Sequence, residues 1–220
     1  LVELSRDSGS MEESLAAADS ACYVAKRHGG HVQVYSARDE VAARQSGEIH
    51  WLQTLQSALR DNRFELHCQP IVPADDSQQD GPAMEVLLRL RDEAGELLPT
   101  ADFLKAAERY RLMGMIDRRV VQTTLTALGR GALELAPRRS VSINVSGQTL
   151  ADLQFLEFVV ECLDSTGANP AQVCFEIAEN AVIANLEHAR RFIGVLHGMG
   201  CRFALDNFGS GLGSFSNLKN

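Results

Sequence analysis

The sequence predicts an α/β protein in which a parallel sheet is covered by helices. Between residues 61 and 207, short apolar runs alternate with longer segments whose apolar residues repeat at helical spacing. Single polar residues interrupt or end these runs, as at the strand ends of a TIM-like (β/α) barrel. No glycine-rich phosphate loop follows the first run, although an open doubly wound sheet often has one. The pattern therefore favours the barrel.

Residues 1–36 are predicted to contain one helix and one edge strand. In MEESLAAADSACYVAKRH the apolar residues follow a single helical stripe, and the glycine pair Gly29-Gly30 supplies a stop. The next stretch, HVQVY, alternates like a strand. Because two elements are too few to fold alone, we expect them to be the tail of a preceding domain. In residues 37–60 the helical spacing within WLQTLQSALRDN predicts a helical linker that leads into a new domain.

The remaining elements follow from the same two periodicities. Strand-like apolar runs occur in this order along the chain: FELHCQPIV, AMEVLLRLRD, SVSINVS, QVCFEIAEN and CRFALDN. Helix-like segments lie between them: TADFLKAAERYRLM, MIDRRVVQTTLTAL, LQFLEFVVECLDSTG and HARRFIGVLHGMG. Gly167 and Gly200 mark the ends of the last two helices. The alternation predicts parallel neighbours joined by helical crossovers.

Composition narrows the class of protein. The 220 residues include 29 acidic and 21 basic side chains, and the net charge of -8 argues against a general nucleic-acid-binding surface. The five cysteines form no CxxC pair, which favours reduced thiols over disulfides or zinc. The six histidines show no ligand spacing and are expected at the surface or at helix ends. No apolar run approaches the ~18 residues of a membrane span, so we expect a cytoplasmic protein without membrane contact from this segment.

Polar residues on successive strands predict a site. Glu85, Asn144, Glu176 and Asp206 each stand in a different apolar run, and Gln69 stands in the first. Taken singly, each could be a satisfied buried acid or a strand-end cap. Together they favour a site, because ionised carboxylates inside a sheet are costly without a counter-charge. Their oxygen ligands suit Mg²⁺ or Mn²⁺, or Ca²⁺, and suit zinc poorly.

These stretches carry a resemblance to a known family. FELHCQPIV, EVLLRL, INVS, FEIAEN and FALDNFGSG, in this order, resemble the signature stretches of EAL domains, the family of cyclic di-GMP phosphodiesterases and their catalytically inactive relatives. ADSACYVAKRHGGHVQVY is similar to the last helix and strand of a GGDEF domain. The resemblance implies a GGDEF remnant at residues 1–36, a linker at 37–60, and an EAL domain at 61–220. The family's lysine-bearing strand and later glutamates are expected beyond Asn220, so the barrel is incomplete here.

The resemblance also implies a metal site. Glu85 begins the tripeptide Glu85-Val86-Leu87, which stands where the family has Glu-Ala-Leu, and is similar to the first metal ligand. Asn144, Glu176 and Asp206 match further ligands. The implied ions are Mg²⁺ or Mn²⁺, with Ca²⁺ as an inhibitory ion.

Other positions match the family's nucleotide contacts. Gln69, Leu87 and Arg89 are similar to residues that touch the dinucleotide, and the arginine fork suits a phosphate. Asp117 of MIDRRV resembles an acid that pairs with a guanine edge. Glu179 matches an acid that steadies the loop after the last strand. The resemblance thus implies cyclic di-GMP as ligand.

The pair Asp206-Asn207 departs from the family, which usually has two adjacent aspartates here. Two-metal hydrolysis needs both ions held ~4 Å apart, and a carboxylate between them offsets their repulsion. An amide at Asn207 brings no charge and accepts no proton, so the second ion is expected to bind weakly. This departure favours a catalytically degenerate domain.

Three functions remain open at this level. The first is a cyclic di-GMP receptor with weak or no hydrolysis, which signals to a downstream protein effector. The second is an active metal-dependent phosphodiesterase that yields the linear dinucleotide pGpG. The third is an interaction module that neither binds nor cuts. EAL domains commonly pair, so a homodimer is expected in each case.

Overall fold

The computed structural model describes residues 51–73 and 80–209. The helix and strand predicted within residues 1–36 lie outside the described residues, as do residues 37–50 of the predicted linker. The chain divides into two compact units, Leu1–Thr54 and Leu55–Asn220. Of the first unit, only residues 51–54 are described, and they are helical. The elements below belong to the second unit.

The second unit contains a five-stranded sheet whose strands lie in chain order, β1-β2-β3-β4-β5. The strands are β1 (Phe64–Pro70), β2 (Gly81–Leu90), β3 (Arg139–Val145), β4 (Val173–Ala178) and β5 (Arg202–Asp206). The helices are α1 (residues 55–60), α2 (Thr100–Arg109), α3 (Met113–Gly129), α4 (Gly147–Leu150), α5 (Leu153–Thr166), α6 (Glu179–Ala184) and α7 (Leu186–Gly198). A 3₁₀ turn, Pro170–Gln172, precedes β4.

The sheet is mixed, which corrects the predicted all-parallel sheet. β2, β3, β4 and β5 run parallel, but β1 pairs with β2 antiparallel. The physical reason is the connection between them. A parallel neighbour needs a crossover of about a dozen or more residues, usually a helix. Only residues 71–80 separate the two strands, whereas helices lie between β2, β3, β4 and β5.

One face of the sheet forms the hydrophobic core with the helices. Val86, Ile143 and Phe175 are adjacent in the register of β2, β3 and β4, and all three are buried. Phe175 contacts Phe192 of α7 edge-on, with ring centroids 5.5 Å apart. Phe192 in turn stacks on Phe155 of α5 at 5.7 Å. Because successive residues of a strand project to opposite sides, the residues between these apolar ones lie on the other face of the sheet. That face carries the polar side chains.

Helix boundaries follow local capping signals where the sequence provides them. Asp152 caps the start of α5 by accepting a hydrogen bond from the Gln154 N–H. Gly167 ends the same helix with a left-handed φ of 67°, as predicted. Within the described residues, no helix has the length and apolar character needed to cross a bilayer.

Two short helices were not predicted. α4 follows β3 directly, and α6 begins at Glu179, immediately after β4. The predicted strand QVCFEIAEN is therefore too long, because β4 ends at Ala178. Helices of four and six residues are too short to show a clear apolar period, so the run reads as one strand.

Candidate functional site

The polar strand residues share one face of the sheet. Asn144 of β3 lies directly beside Glu176 of β4 in the parallel register. Glu85 of β2 pairs with Ser142, two residues before Asn144, and Asp206 of β5 follows Ala204, the partner of Glu176, by two residues. Since residues two apart on a strand project to the same side, all four side chains face away from the helices.

Glu85 and Asn144 are in direct contact. The Asn144 amide nitrogen donates a hydrogen bond of 2.7 Å to Glu85 Oε1. The amide nitrogen of Asn144 thus faces the carboxylate, and turning the amide over would present its oxygen instead. Glu85 and Glu176 are half-buried, whereas Asn144 and Asp206 are exposed. These residues are therefore accessible to solvent on this face of the sheet.

Asp206 and Asn207 form a compact local pair at the end of β5. The backbone N–H of Asn207 donates to Asp206 Oδ1 at 2.7 Å, and its side-chain amide donates to Asp206 Oδ2 at 2.9 Å. Asn207 has a left-handed φ of 54°, a conformation that asparagine tolerates better than most residues. The backbone N–H and the side-chain amide of Asn207 therefore each engage one oxygen of the Asp206 carboxylate.

Three predicted nucleotide contacts lie on the same face. Gln69 of β1 is opposite Glu85 in the antiparallel register, which places their side chains on one side. Leu87 and Arg89 follow Glu85 at intervals of two along β2 and so share its face. Arg89 donates from Nη1 to the carbonyl oxygen of Leu88 at 2.8 Å. Gln69 extends the face onto β1, and Leu87 and Arg89 extend it towards the end of β2.

Asp117 occupies a different environment, inside helix α3. Its side chain is 4 % exposed, and its Oδ2 accepts a hydrogen bond of 3.0 Å from the backbone N–H of Ser146, just after β3. Burial raises the pKa of the Asp117 carboxyl, although hydrogen bonds with Thr149 and Ser146 and the charge of Arg118 oppose the rise. Asp117 thus ties α3 to the turn that follows Asn144.

The buried carboxyl of Asp117 predicts a pH-dependent loss of stability. Its pKa is higher in the folded than in the unfolded state, so its stabilising contribution is complete below about pH 3.8 and falls as pH rises towards the folded pKa. Asp117→Asn keeps an oxygen acceptor without the charge. In urea unfolding from pH 4 to pH 8, the variant should stay within about 1 kcal/mol of the wild type at pH 4. It should gain stability relative to the wild type as pH rises. A difference independent of pH would contradict this.

Glu179 connects the start of α6 to the turn after β5. The side chain is buried, and its Oε2 accepts a hydrogen bond of 3.1 Å from the backbone N–H of Gly209. Asp206 is the last residue of β5, and Asn207 lies between it and this anchor. Glu179 therefore holds the backbone that follows the acid–amide pair, although it belongs to a helix and not to the predicted strand.

The donor chemistry of the face fits a hard divalent cation. Glu85, Glu176 and Asp206 offer carboxylate oxygens, and Asn144 can offer an amide oxygen. In this conformation the side chains are not drawn together around a common point. Within residues 51–73 and 80–209, no group of three His, Cys, Asp or Glu side chains is arranged to hold an ion. An ion on this face would have to draw the carboxylates inwards.

Sequence comparison places these residues in a known family. A family model described as EAL domain matches residues 52–220. Among curated proteins, cyclic di-GMP phosphodiesterase PdeB of Shewanella oneidensis is 33% identical over 211 residues, which are 94% of this chain and 24% of that protein. The chain thus spans about a quarter of the length of such curated relatives.

Solved structures of EAL domains are also similar to this chain. The EAL domain of Xanthomonas citri FimX, in complex with c-diGMP, aligns with a TM-score of 0.69 and 27% identity over 81% of this chain and 68% of that one. The FimX EAL domain of Pseudomonas aeruginosa, bound to c-di-GMP, aligns with a TM-score of 0.67 and 29% identity over 77% and 66%. With its mixed sheet and the family match over most of its length, this chain belongs to the EAL domain family.

Proposed function

We propose that this chain is a cyclic di-GMP receptor, an EAL domain that binds the dinucleotide and hydrolyses it weakly or not at all. The observation that carries the proposal is the shared face of Gln69, Glu85, Asn144, Glu176 and Asp206, which ends at an asparagine and not at a second acid. The FimX domains, which carry c-diGMP in their solved structures, support the choice of ligand.

The proposed ligand needs cations, because it carries two phosphodiester charges and the face is acidic. Arg89 supplies one positive charge with a fork suited to phosphate oxygens. Glu85, Asn144, Glu176 and Asp206 would hold one Mg²⁺ or Mn²⁺, and Ca²⁺ would compete as an inhibitory ion. A divalent ion bound there would offset phosphate charge and polarise the phosphodiester. Leu87 would offer an apolar contact beside Arg89. Asp117 would contact a guanine edge if its hydrogen bond with the Ser146 N–H breaks.

The weakness of hydrolysis follows from Asn207. Its amide adds no negative charge beside Asp206, and its N–H groups already engage both oxygens of that carboxylate. At the Asp206-Asn207 pair a second cation would meet one carboxylate, where the family usually has two adjacent aspartates. An active phosphodiesterase that forms linear pGpG is the second candidate, because PdeB carries that activity in its name and is 33% identical.

Calorimetry on the 220-residue chain tests the proposal. Cyclic di-GMP is titrated with Mg²⁺ or Mn²⁺ present, and linear pGpG is followed by chromatography over long incubation. Saturable binding with little product is the expected result. No heat of binding at about 50 µM ligand would overturn the receptor and leave an interaction module that neither binds nor cuts. Rapid formation of pGpG would establish the phosphodiesterase instead.

Arg89→Ala should weaken cyclic di-GMP binding by about tenfold to a hundredfold, because a charged hydrogen bond to phosphate contributes about 1.5–3 kcal/mol. The matched control is Arg190→Ala, which removes the same charge from α7, where the side chain is 51% exposed. Calorimetry under identical salt should show the control within about twofold of the wild type. Equal losses for the two variants would mean that Arg89 acts only through net charge.

The domain organisation and the oligomeric state of the chain are also proposals. Residues 1–36 would be the end of a GGDEF domain, which the motif ADSACYVAKRHGGHVQVY supports. A cytoplasmic homodimer that passes ligand occupancy to a protein effector would suit a receptor without turnover. Light scattering of the chain with and without cyclic di-GMP tests the dimer, which a monomer mass in both states would exclude.

A further inference from the structure

We infer that His67 on β1 is a further contact of the bound dinucleotide and that its imidazole stacks on a guanine base. The inference rests on the proposed function, because it concerns the ligand of the same face. The sequence pattern placed the histidines at the surface or at helix ends. His67 is exposed, as expected, and it lies within strand β1, two residues before Gln69, which faces the site.

The register of β1 and β2 places His67 beside the predicted ligand contacts. Gln69 is opposite Glu85, and His67 is opposite Leu87. Directly opposite residues of an antiparallel pair project to the same side, with Cβ atoms about 4.5–5.5 Å apart. His67 therefore shares the face of Glu85. It lies one pair nearer to the edge at which the parallel strands end, towards Arg89.

The imidazole of His67 is accessible and lies beside an anchored carboxylate. Its side chain is 45% exposed, and its Nε2 lies 3.4 Å from Glu65 Oε2. The carboxylate of Glu65 is itself anchored, because Arg91 donates from Nε to Oε1 at 2.6 Å. One edge of the ring thus lies beside a carboxylate that is itself paired with Arg91, and much of its remaining surface is open to a ligand.

The chemistry of this position suits a purine. Guanine has two flat faces, and an aromatic ring that stacks on a base contributes about 1–3 kcal/mol to binding. Leu87, directly opposite on β2, adds an apolar surface at the same level of the face. Arg89 follows Leu87 by two residues and would take the neighbouring phosphate. His67 and Leu87 would then contact the guanine base, while Arg89 would bind the negatively charged phosphate.

Calorimetry with cyclic di-GMP and Mn²⁺ tests the contact in the full chain. His67→Ala should bind about tenfold more weakly than the wild type, whereas His67→Phe, which keeps a flat ring, should stay within about threefold. His197→Ala is the matched control, since His197 is an exposed histidine on α7, away from β1. It should bind like the wild type. Thermal unfolding of each variant checks that the fold is retained.

The outcomes separate this inference from the proposed function. If the wild type binds and His67→Ala binds equally well, the contact is refuted while the receptor stands. If His67→Phe loses as much affinity as His67→Ala, stacking is refuted. If the wild type itself does not bind cyclic di-GMP, the proposed function fails and the inference fails with it. Retained binding by His67→Phe alone of the two variants supports the stacked base.

Discussion

Asn207→Asp is expected to raise the Mn²⁺-dependent conversion of cyclic di-GMP to linear pGpG by about a hundredfold or more over the wild type, since each ~1.4 kcal/mol in the barrier is tenfold in rate. The substitution replaces an amide that donates to Asp206 with a second carboxylate on the same face. Two adjacent acids repel each other without a cation and attract divalent ions strongly. Chromatography of the reaction products over time gives the rates.

The matched control for this prediction is Asn62→Asp. Asn62 also has a left-handed backbone, with φ 55°, and it is exposed in the turn before β1. Asn62→Asp is the same substitution in the same backbone conformation, at a position away from Asp206. No gain in pGpG formation is expected from it. Thermal unfolding gives a second measurement. Mn²⁺ should raise the unfolding midpoint temperature of Asn207→Asp more than that of the wild type.

Two results would contradict the prediction. Asn207→Asp could bind cyclic di-GMP and still form no pGpG with Mn²⁺, which would show that the amide is not what blocks hydrolysis. The wild type could also hydrolyse as fast as the variant, which would show that one carboxylate at this position is sufficient. In the second case the active phosphodiesterase becomes the function of the chain.

The placement of the polar face could be predicted because it depends on strand periodicity alone. In SVSINVS and VCFEIAEN, apolar residues alternate with Ser142, Asn144, Cys174 and Glu176, and period two assigns each set to one side. The direction of β1 could not be read in this way, since alternation is the same in both directions. Its informative signal was the length of the connection, residues 71–80, which is too short for a helical crossover.

Contacts between distant segments account for what the sequence did not provide. The acid in MIDRRV is flanked by arginine and resembles an exposed helical residue, yet Asp117 is buried against Ser146, 29 positions further along the chain. No local pattern records such a partner. The position of His67 opposite Leu87 likewise depends on a hairpin register, which the turn residues did not specify. Glu179 was placed in a strand because the strand runs directly into a short helix.

Gly129→Ala is expected to destabilise the domain by about 3 kcal/mol, because it inserts a methyl group into a backbone contact that has no room for one. Gly129 is the last residue of α3, and a Cβ at this position would lie 2.0 Å from the carbonyl oxygen of Thr166 and 2.9 Å from its carbonyl carbon. Thr166 is the last residue of α5. The two helices therefore meet backbone to backbone, and neither atom of the carbonyl can move as a side chain would.

The control for Gly129→Ala is Gly194→Ala, the same exchange within α7. No atom lies within 4 Å of the position that a Cβ at Gly194 would take. Since alanine is favoured over glycine in a helix by about 1 kcal/mol, this variant should be as stable as the wild type or slightly more stable. Equilibrium urea unfolding gives both values. Equal midpoints for the two variants would mean that α3 and α5 separate at little cost. In that case the contact would not fix the helices behind β3, the strand that carries Asn144.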